Sequence, residues 1–170
     1  MTIRKATAAD LAVLMPLFDE ARATIARLGI DQWQDGYPQS AVVEDGIRKG
    51  ETYCVEIDGE VCATFVLTLR EPLYDTIEGG HWTTGDDSRD YVAIHRVAVS
   101  VARRGSGIST AIMNFAADYA RAEGRGSLRI DTHEGNAVMR RMLEKHGFAH
   151  CGTIRLASGA PRVAYERALD

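Results

Sequence analysis

Val97-Ala98-Val99-Ser100-Val101-Ala102-Arg103-Arg104-Gly105-Ser106-Gly107-Ile108-Ser109-Thr110 carries more structural information than any other stretch of this sequence. It begins as the end of a β-rich apolar run, YVAIHRVAVS over Tyr91 to Ser100, and turns through small residues into a helical pattern. The first amides of a helix lack intrahelical acceptors, and the positive end of the helix dipole lies behind them. Such a helix start suits a phosphate or pyrophosphate. Gly105, Gly107 and Ser109 would let a ligand approach the backbone closely. Arg103 and Arg104 add fixed positive charge able to make paired hydrogen bonds to phosphate oxygens. A P-loop needs a Lys after its glycines, and none stands here. A dinucleotide fingerprint needs GxGxxG, and Thr110 occupies its third glycine position. An ordinary tight strand-to-helix connection fits the same residues.

Working outward, Ile108, Ala111, Ile112, Phe115, Ala116, Tyr119 and Ala120 form an apolar helical stripe that Gly124 ends. Leu128 to Asp131 reads as a short strand, so the unit from Tyr91 to Asp131 predicts a parallel strand pair with a helical crossover. Asn136 suits the N-cap of a further helix marked by Val138, Met139, Met142 and Leu143, and Gly147 suits its left-handed end. Two closing strands are expected at Ala149 to Ile154 and Arg162 to Arg167. Toward the N-terminus, a strand is expected over Ile3 to Ala6, and Thr7-Ala8-Ala9-Asp10 resembles a capping box. Leu11, Leu14, Phe18, Ala21, Ile25 and Leu28 follow helical spacing, with Pro16 predicting a kink or a displaced start. A second helix is expected from about Ser40 to Lys49, then strands over Thr52 to Ile57 and Val61 to Leu69 joined by an Asp58-Gly59 hairpin turn. Arg70 to about Asp90 has no clear period, and loops of that length are often functional.

A chain of 170 residues suits one domain, here residues 1–170. A net charge of -4 argues against a nucleic-acid partner. No apolar run approaches the roughly 20 residues of a membrane span, and the N-terminus lacks the pattern of a secretory signal. Cys54, Cys62 and Cys151 form no CxxC pair and read as reduced thiols, so a cytoplasmic location is expected.

Arg104-Gly105-Ser106-Gly107-Ile108-Ser109 resembles the [QR]-x-x-G-x-[GA] signature of the GNAT (Gcn5-related N-acetyltransferase) family, with Ser109 at the last small position. Ile130-Asp131-Thr132-His133-Glu134-Gly135-Asn136 and Leu143-Glu144-Lys145-His146-Gly147-Phe148 resemble its next strand and helix, in the right order. The resemblance implies an α/β fold with a mixed central sheet of about six to seven strands flanked by helices. It also implies that the sheet is splayed between the strands at Tyr91–Ser100 and Leu128–Asp131, with acetyl-CoA in the opening and no metal. On that basis the pyrophosphate would sit on Arg104, Gly105, Ser106, Gly107, Ile108, Ser109 and Thr110 beside Arg103, and the pantetheine arm would pair with Val97, Ala98 and Val99. The Val97 amide would polarise the thioester carbonyl. Asn136 would contact the arm, cap its helix, or do both.

Attack on a thioester requires a neutral amine, so a base or water chain must remove a proton. His95 is the first candidate, placed by strict alternation on the side of Ala93 and Val97; a hydrogen-bonded structural histidine is the other reading. The tyrosine that many members use as acid, four residues before the Gly of the Gly-Phe pair, is replaced by Leu143; His133, Glu134 or solvent would substitute. Trp33 and Tyr37, with Asp31 and Asp35, would build an aromatic and acidic acceptor wall, or simply anchor a loop. His81 and Trp82 would form part of a lid, or pack on the surface. The expected activity is direct transfer of acetyl from acetyl-CoA to a primary amine, on a small molecule or peptide, within a ternary complex. The alternatives are a non-catalytic acyl-CoA sensor and a nucleotide-dependent enzyme. Dimers are a common outcome in the family.

Overall fold

The first strand, β1 (Thr2–Lys5), leads directly into a capped turn. The Thr7 amide donates to Asp10 Oδ2 at 2.7 Å and the Thr7 hydroxyl lies 3.0 Å from the same oxygen. Arg4 adds two donors to that carboxylate, at 2.8 and 2.9 Å, and holds it well below the usual carboxylate range. Helix α1 then runs unbroken over Leu11–Ala26, with Pro16 inside it. The start is therefore not displaced. Pro16 costs about 3 kcal/mol, while burying Leu14, Leu17, Phe18 and Ile25 returns roughly 1.5–3 kcal/mol each. Leu28, assigned to the same stripe by spacing, lies beyond the helix and is exposed.

The computed structural model describes all residues from Met1 to Asp170 and divides into two compact units, each drawing on two stretches of chain. The first comprises Met1–Leu67 and His95–Ile112. Here α2 (Ser40–Arg48) contributes Val43 to a core with Leu14, Leu17, Phe18, Cys54 and Ala98. Strands β2 (Thr52–Ile57) and β3 (Glu60–Thr68) form an antiparallel hairpin, with Ile57 facing Glu60 across a turn at Asp58 (φ 54°) and Gly59. Both turn residues take the left-handed conformation that a two-residue hairpin favours.

The second unit comprises Thr68–Ile94 and Met113–Asp170. Strand β4 (Tyr91–Val99) and helix α3 (Ile108–Ala122) each pass from one unit to the other. Within the second unit, β4 pairs in parallel with β5 (Ser127–Thr132), in the register Tyr91–Ser127, Val92–Leu128 and Ala93–Arg129. After α4 (Ala137–Lys145) come β6 (Ala149–Arg155) and β7 (Pro161–Ala168). β7 inserts beside β5, which leaves β6 outermost, so the hydrogen-bonded order is β1-β2-β3-β4-β5-β7-β6.

The aperiodic stretch before β4 is ordered by contacts rather than by secondary structure. A short helical turn spans Pro72–Asp75, Glu78 bridges to Thr153, and Trp82 Nε1 donates to the Tyr74 carbonyl at 2.9 Å. Tyr74, Trp82, Tyr91, Ala93, Cys151, Ile154 and Ala164 form the core there. No helix is long and apolar enough to cross a membrane.

Candidate active site

The loop between β4 and α3 is the expected anion cradle. Residues 101–107 are exposed except for half-buried Arg103, while Ile108 is buried and anchors the helix start. Gly105 (φ 80°) and Gly107 (φ 81°) are left-handed, and a Cβ built on either meets nothing within 4 Å. The Ala111 amide donates to the Gly107 carbonyl at 3.0 Å. The amides of Ile108, Ser109 and Thr110 precede it and have no intrahelical acceptor. Arg104 donates to the Thr24 hydroxyl at 3.1 Å, and Arg103 lies 3.3 Å from Glu60. Each guanidinium of this loop is thus engaged with a residue outside it, Thr24 of α1 and Glu60 of β3.

Upstream, Ala98 is buried while Val97 and Val99 are half-buried. Arg96 is left-handed (φ 50°) and donates to the Val42 carbonyl at 3.3 Å. A left-handed residue between His95 and Val97 interrupts the regular backbone on which the expected alternation rests. His95 is half-buried, and burial together with the Arg96 charge pushes its pKa down to about 4. It is neutral near pH 7, with the base form populated.

At the end of β5 the chain turns into α4. Asn136 Oδ1 accepts the Met139 amide at 3.2 Å, the expected N-cap. His133 Nδ1 accepts the Gly135 amide at 3.0 Å, which leaves its proton on Nε2. Glu134 is exposed, and its carbonyl accepts Arg140 Nη1 at 3.0 Å. Leu143 is fully buried. Arg140 Nε donates to the Tyr165 hydroxyl at 2.9 Å.

The profile of the acetyltransferase (GNAT) family matches residues 18–148, which include β4, the glycine loop and α4. The chain belongs to the GNAT family. A GNAT acetyltransferase of Streptococcus agalactiae has 33% sequence identity and a TM-score of 0.86, over 99% of this chain and 95% of that one. Two further structures share the fold at lower identity. A GNAT acetyltransferase of Listeria monocytogenes has 22% identity and a TM-score of 0.72, over 99% and 94% of the two chains. A ribosomal-protein-alanine N-acetyltransferase of Brucella melitensis has 21% identity and a TM-score of 0.70, over 99% and 100%. No curated protein sequence matches the chain.

In this GNAT domain the expected acceptor residues fall in different units. Trp33 and Tyr37 belong to the first, half-buried, with ring centroids 6.2 Å apart; Trp33 also meets Phe18 edge-on at 6.0 Å. Arg22, which sequence reasoning passed over, fastens this loop by donating to the Gly36 and Tyr37 carbonyls at 3.3 and 3.2 Å. His81 is exposed and pairs with Asp86 at 2.7 Å. Trp82 is 2% exposed and lies under the Arg129 guanidinium at 4.2 Å, so it is a core residue rather than a lid open to an acceptor. Sequence reasoning also missed Arg129, Asp131 and Tyr74. The signal available was the two-residue spacing of Arg129 and Asp131, which places two charges on one face of a short strand.

Proposed function

We propose that this GNAT protein transfers acetyl from acetyl-CoA to a primary amine by direct attack in a ternary complex. The observation that carries the reading is the exposed start of α3, where left-handed Gly105 and Gly107 lead into helical amides without intrahelical acceptors. Those amides and the Arg103 and Arg104 guanidiniums would hold the pyrophosphate, and the backbone of Val97, Ala98 and Val99 would align the pantetheine arm. The Val97 amide, fixed in the strand, would stabilise negative charge developing on the thioester oxygen. His95 would accept the proton that the amine releases. Its low pKa keeps it ready at neutral pH and makes it a modest base. Asn136 would direct its amide group at the arm while its oxygen caps α4. His133, through its Nε2–H, or Glu134 would offer the departing thiolate a polar neighbour, and CoA thiolate leaves readily enough for water to supply the proton. Three free, buried cysteines agree with a reducing, cytoplasmic setting.

A second reading, an acyl-CoA-binding sensor without turnover, is favoured by one feature: fully buried Leu143 stands where many family members carry the acid tyrosine. Calorimetric titration with acetyl-CoA, with ATP and NAD as controls, tests the common element. Selective binding of about -8 kcal/mol, a micromolar dissociation constant, is the expected result; no binding by folded protein removes both readings. His95→Ala then separates them, because an enzyme loses thiol release and retains acetyl-CoA binding.

A further inference from the structure

Arg96 is a half-buried cation without a carboxylate partner. Arg4 and Arg22, half-buried arginines of the same unit, pair with Asp10 and with Asp19. The Arg96 guanidinium makes one hydrogen bond, from Nη1 to the Val42 carbonyl in α2 at 3.3 Å, and that oxygen is neutral. Its Nε is buried and meets no protein oxygen. The Thr52 hydroxyl, on a residue 1% exposed, is a second buried polar group with no hydrogen-bond partner. The two side chains converge on Gly46: a Cβ built there would stand 2.7 Å from Thr52 Oγ1 and 3.8 Å from Arg96 Nη1. Arg96 also holds a left-handed backbone (φ 50°), and strain of this kind concentrates where ligands are held. Buried polar atoms are otherwise nearly always satisfied, and a guanidinium bonds most strongly to an ionised oxygen.

Position in the chain identifies the molecule that brings this oxygen. Arg96 directly precedes Val97, whose amide serves the thioester carbonyl on the acetyl-transfer reading. The acyl end of acetyl-CoA carries no charge, and on the same reading its phosphates belong to the glycine loop further along the chain. A cation beside Val97 therefore answers a charge on the acceptor rather than one on the cofactor. The Arg96 side chain runs to α2, which follows the loop of Trp33 and Tyr37, and Trp33 packs against the core that Val43 and Ala98 share. Arg96, α2 and that loop all belong to the first unit. We propose that Arg96 binds a carboxylate on the acceptor, so that the protein acetylates small amino carboxylates, molecules with a primary amine and an acid group close together. The planar guanidinium matches a carboxylate through paired N–H donors. It also repels an amine that arrives as a cation with no acid group beside it, which sharpens the choice. The inference rests on the acetyl-transfer reading, and Arg96 touches the substrate.

The test uses the full chain and acetyl-CoA, and reads thiol release with the common L-amino acids, β-alanine and γ-aminobutyrate, each paired with its own amide. The amide keeps the amine and loses the negative charge. Its amine is the less basic of the two, so intrinsic reactivity at neutral pH works against the expected preference. The expected result is turnover of at least one acid with kcat/KM about 10- to 100-fold above that of its amide, the size of one charged hydrogen bond. Arg96→Gln should bring that ratio to about one or below, with acetyl-CoA affinity retained in calorimetry. Arg96→Lys keeps the charge without the fork and should retain only part of the preference, which decides the matter if Arg96→Gln fails to fold. A ratio unchanged in the variants, an equal loss on acids and amides included, marks a structural role and overturns the inference. So does wild-type protein that binds acetyl-CoA yet takes amides as well as acids, or takes none of the acids; each of these leaves cofactor binding intact. Wild-type protein that does not bind acetyl-CoA removes the underlying reading, and the inference with it.

Discussion

Arg129 Nε donates to Glu166 Oε1 at 2.8 Å, and neither side chain has exposed surface. The guanidinium lies 4.2 Å from the centroid of the Trp82 ring and 4.4 Å from that of Tyr91. Glu166 also accepts from the Thr84 amide and hydroxyl and from the Ser127 hydroxyl. One ion pair therefore fastens the aperiodic stretch before β4 to β5 and β7. Breaking a buried pair leaves an uncompensated charge, so Glu166→Gln should cost about 3–5 kcal/mol in urea denaturation. Replacing both partners by apolar residues, Arg129→Met with Glu166→Leu, should cost less than that single change. Burial alone would raise the Glu166 pKa, but the bonds from Arg129, Thr84 and Ser127 bring it below its ordinary value. Its stabilisation is therefore full above the unfolded carboxylate value of about 4.3 and is lost as pH falls through the lower folded value. A double variant less stable than the single one would contradict this account.

His95 titrates near 4, against about 6.5 when unfolded. The unfolded chain thus binds the extra proton first, and stability should fall by up to about 3 kcal/mol as pH drops from 6.5 toward 4. His95→Gln should flatten that part of the profile. In turnover, a base of this pKa gives no inflection near 6.5 in kcat/KM, and His95→Ala should lower kcat by roughly 10²- to 10⁴-fold. An inflection near 6.5 that vanishes in His95→Ala would mean that the histidine is far less shielded than its surroundings indicate.

Local patterns foretold the local elements. The Asp58-Gly59 turn, the Thr7–Asp10 cap, the Asn136 N-cap and the glycine loop into α3 all depend on residues within a few positions of one another. What stayed hidden depends on distant chain. β7 slips between β5 and β6 through pairings such as Ile130–Tyr165, which no local period encodes. Trp82 is buried because Arg129, far along the sequence, covers its ring. Arg96 takes a left-handed conformation that nothing about an arginine announces, within a strand read as regular. The Asp131–Tyr74 bond joins residues 57 positions apart. Of the candidate site, the glycine loop was legible because it is one continuous stretch of chain, whereas the residues expected at the acceptor come from distant stretches that no local pattern ties together.

Gly80 lies so close to β6 that a Cβ built on it would stand 1.9 Å from the Cys151 carbonyl oxygen. A backbone atom cannot swing aside as the end of a flexible side chain can. Gly80→Ala should therefore force the loop off β6, cost about 1–3 kcal/mol or more, and lower the Tm. An unchanged Tm would mean that the loop is not held against Cys151.

Gly107 offers the sharpest test of the anion cradle, because conformational strain and loss of ligand can be separated. Its φ of 81° makes any side chain strained, by roughly 1–2 kcal/mol, yet a Cβ there meets no protein atom within 4 Å. Gly124, just past α3, has a φ of 67° and equally open surroundings. Gly107→Val and Gly124→Val should therefore lose similar stability. Only Gly107→Val places methyl groups where a pyrophosphate would approach the amides of Ile108, Ser109 and Thr110. Its acetyl-CoA affinity should fall by at least about tenfold, equivalent to 1.4 kcal/mol, while Gly124→Val binds as wild type. Equal affinities in the two variants would show that the cofactor does not rest on this helix start, and the loop would then be no more than a tight connection between β4 and α3.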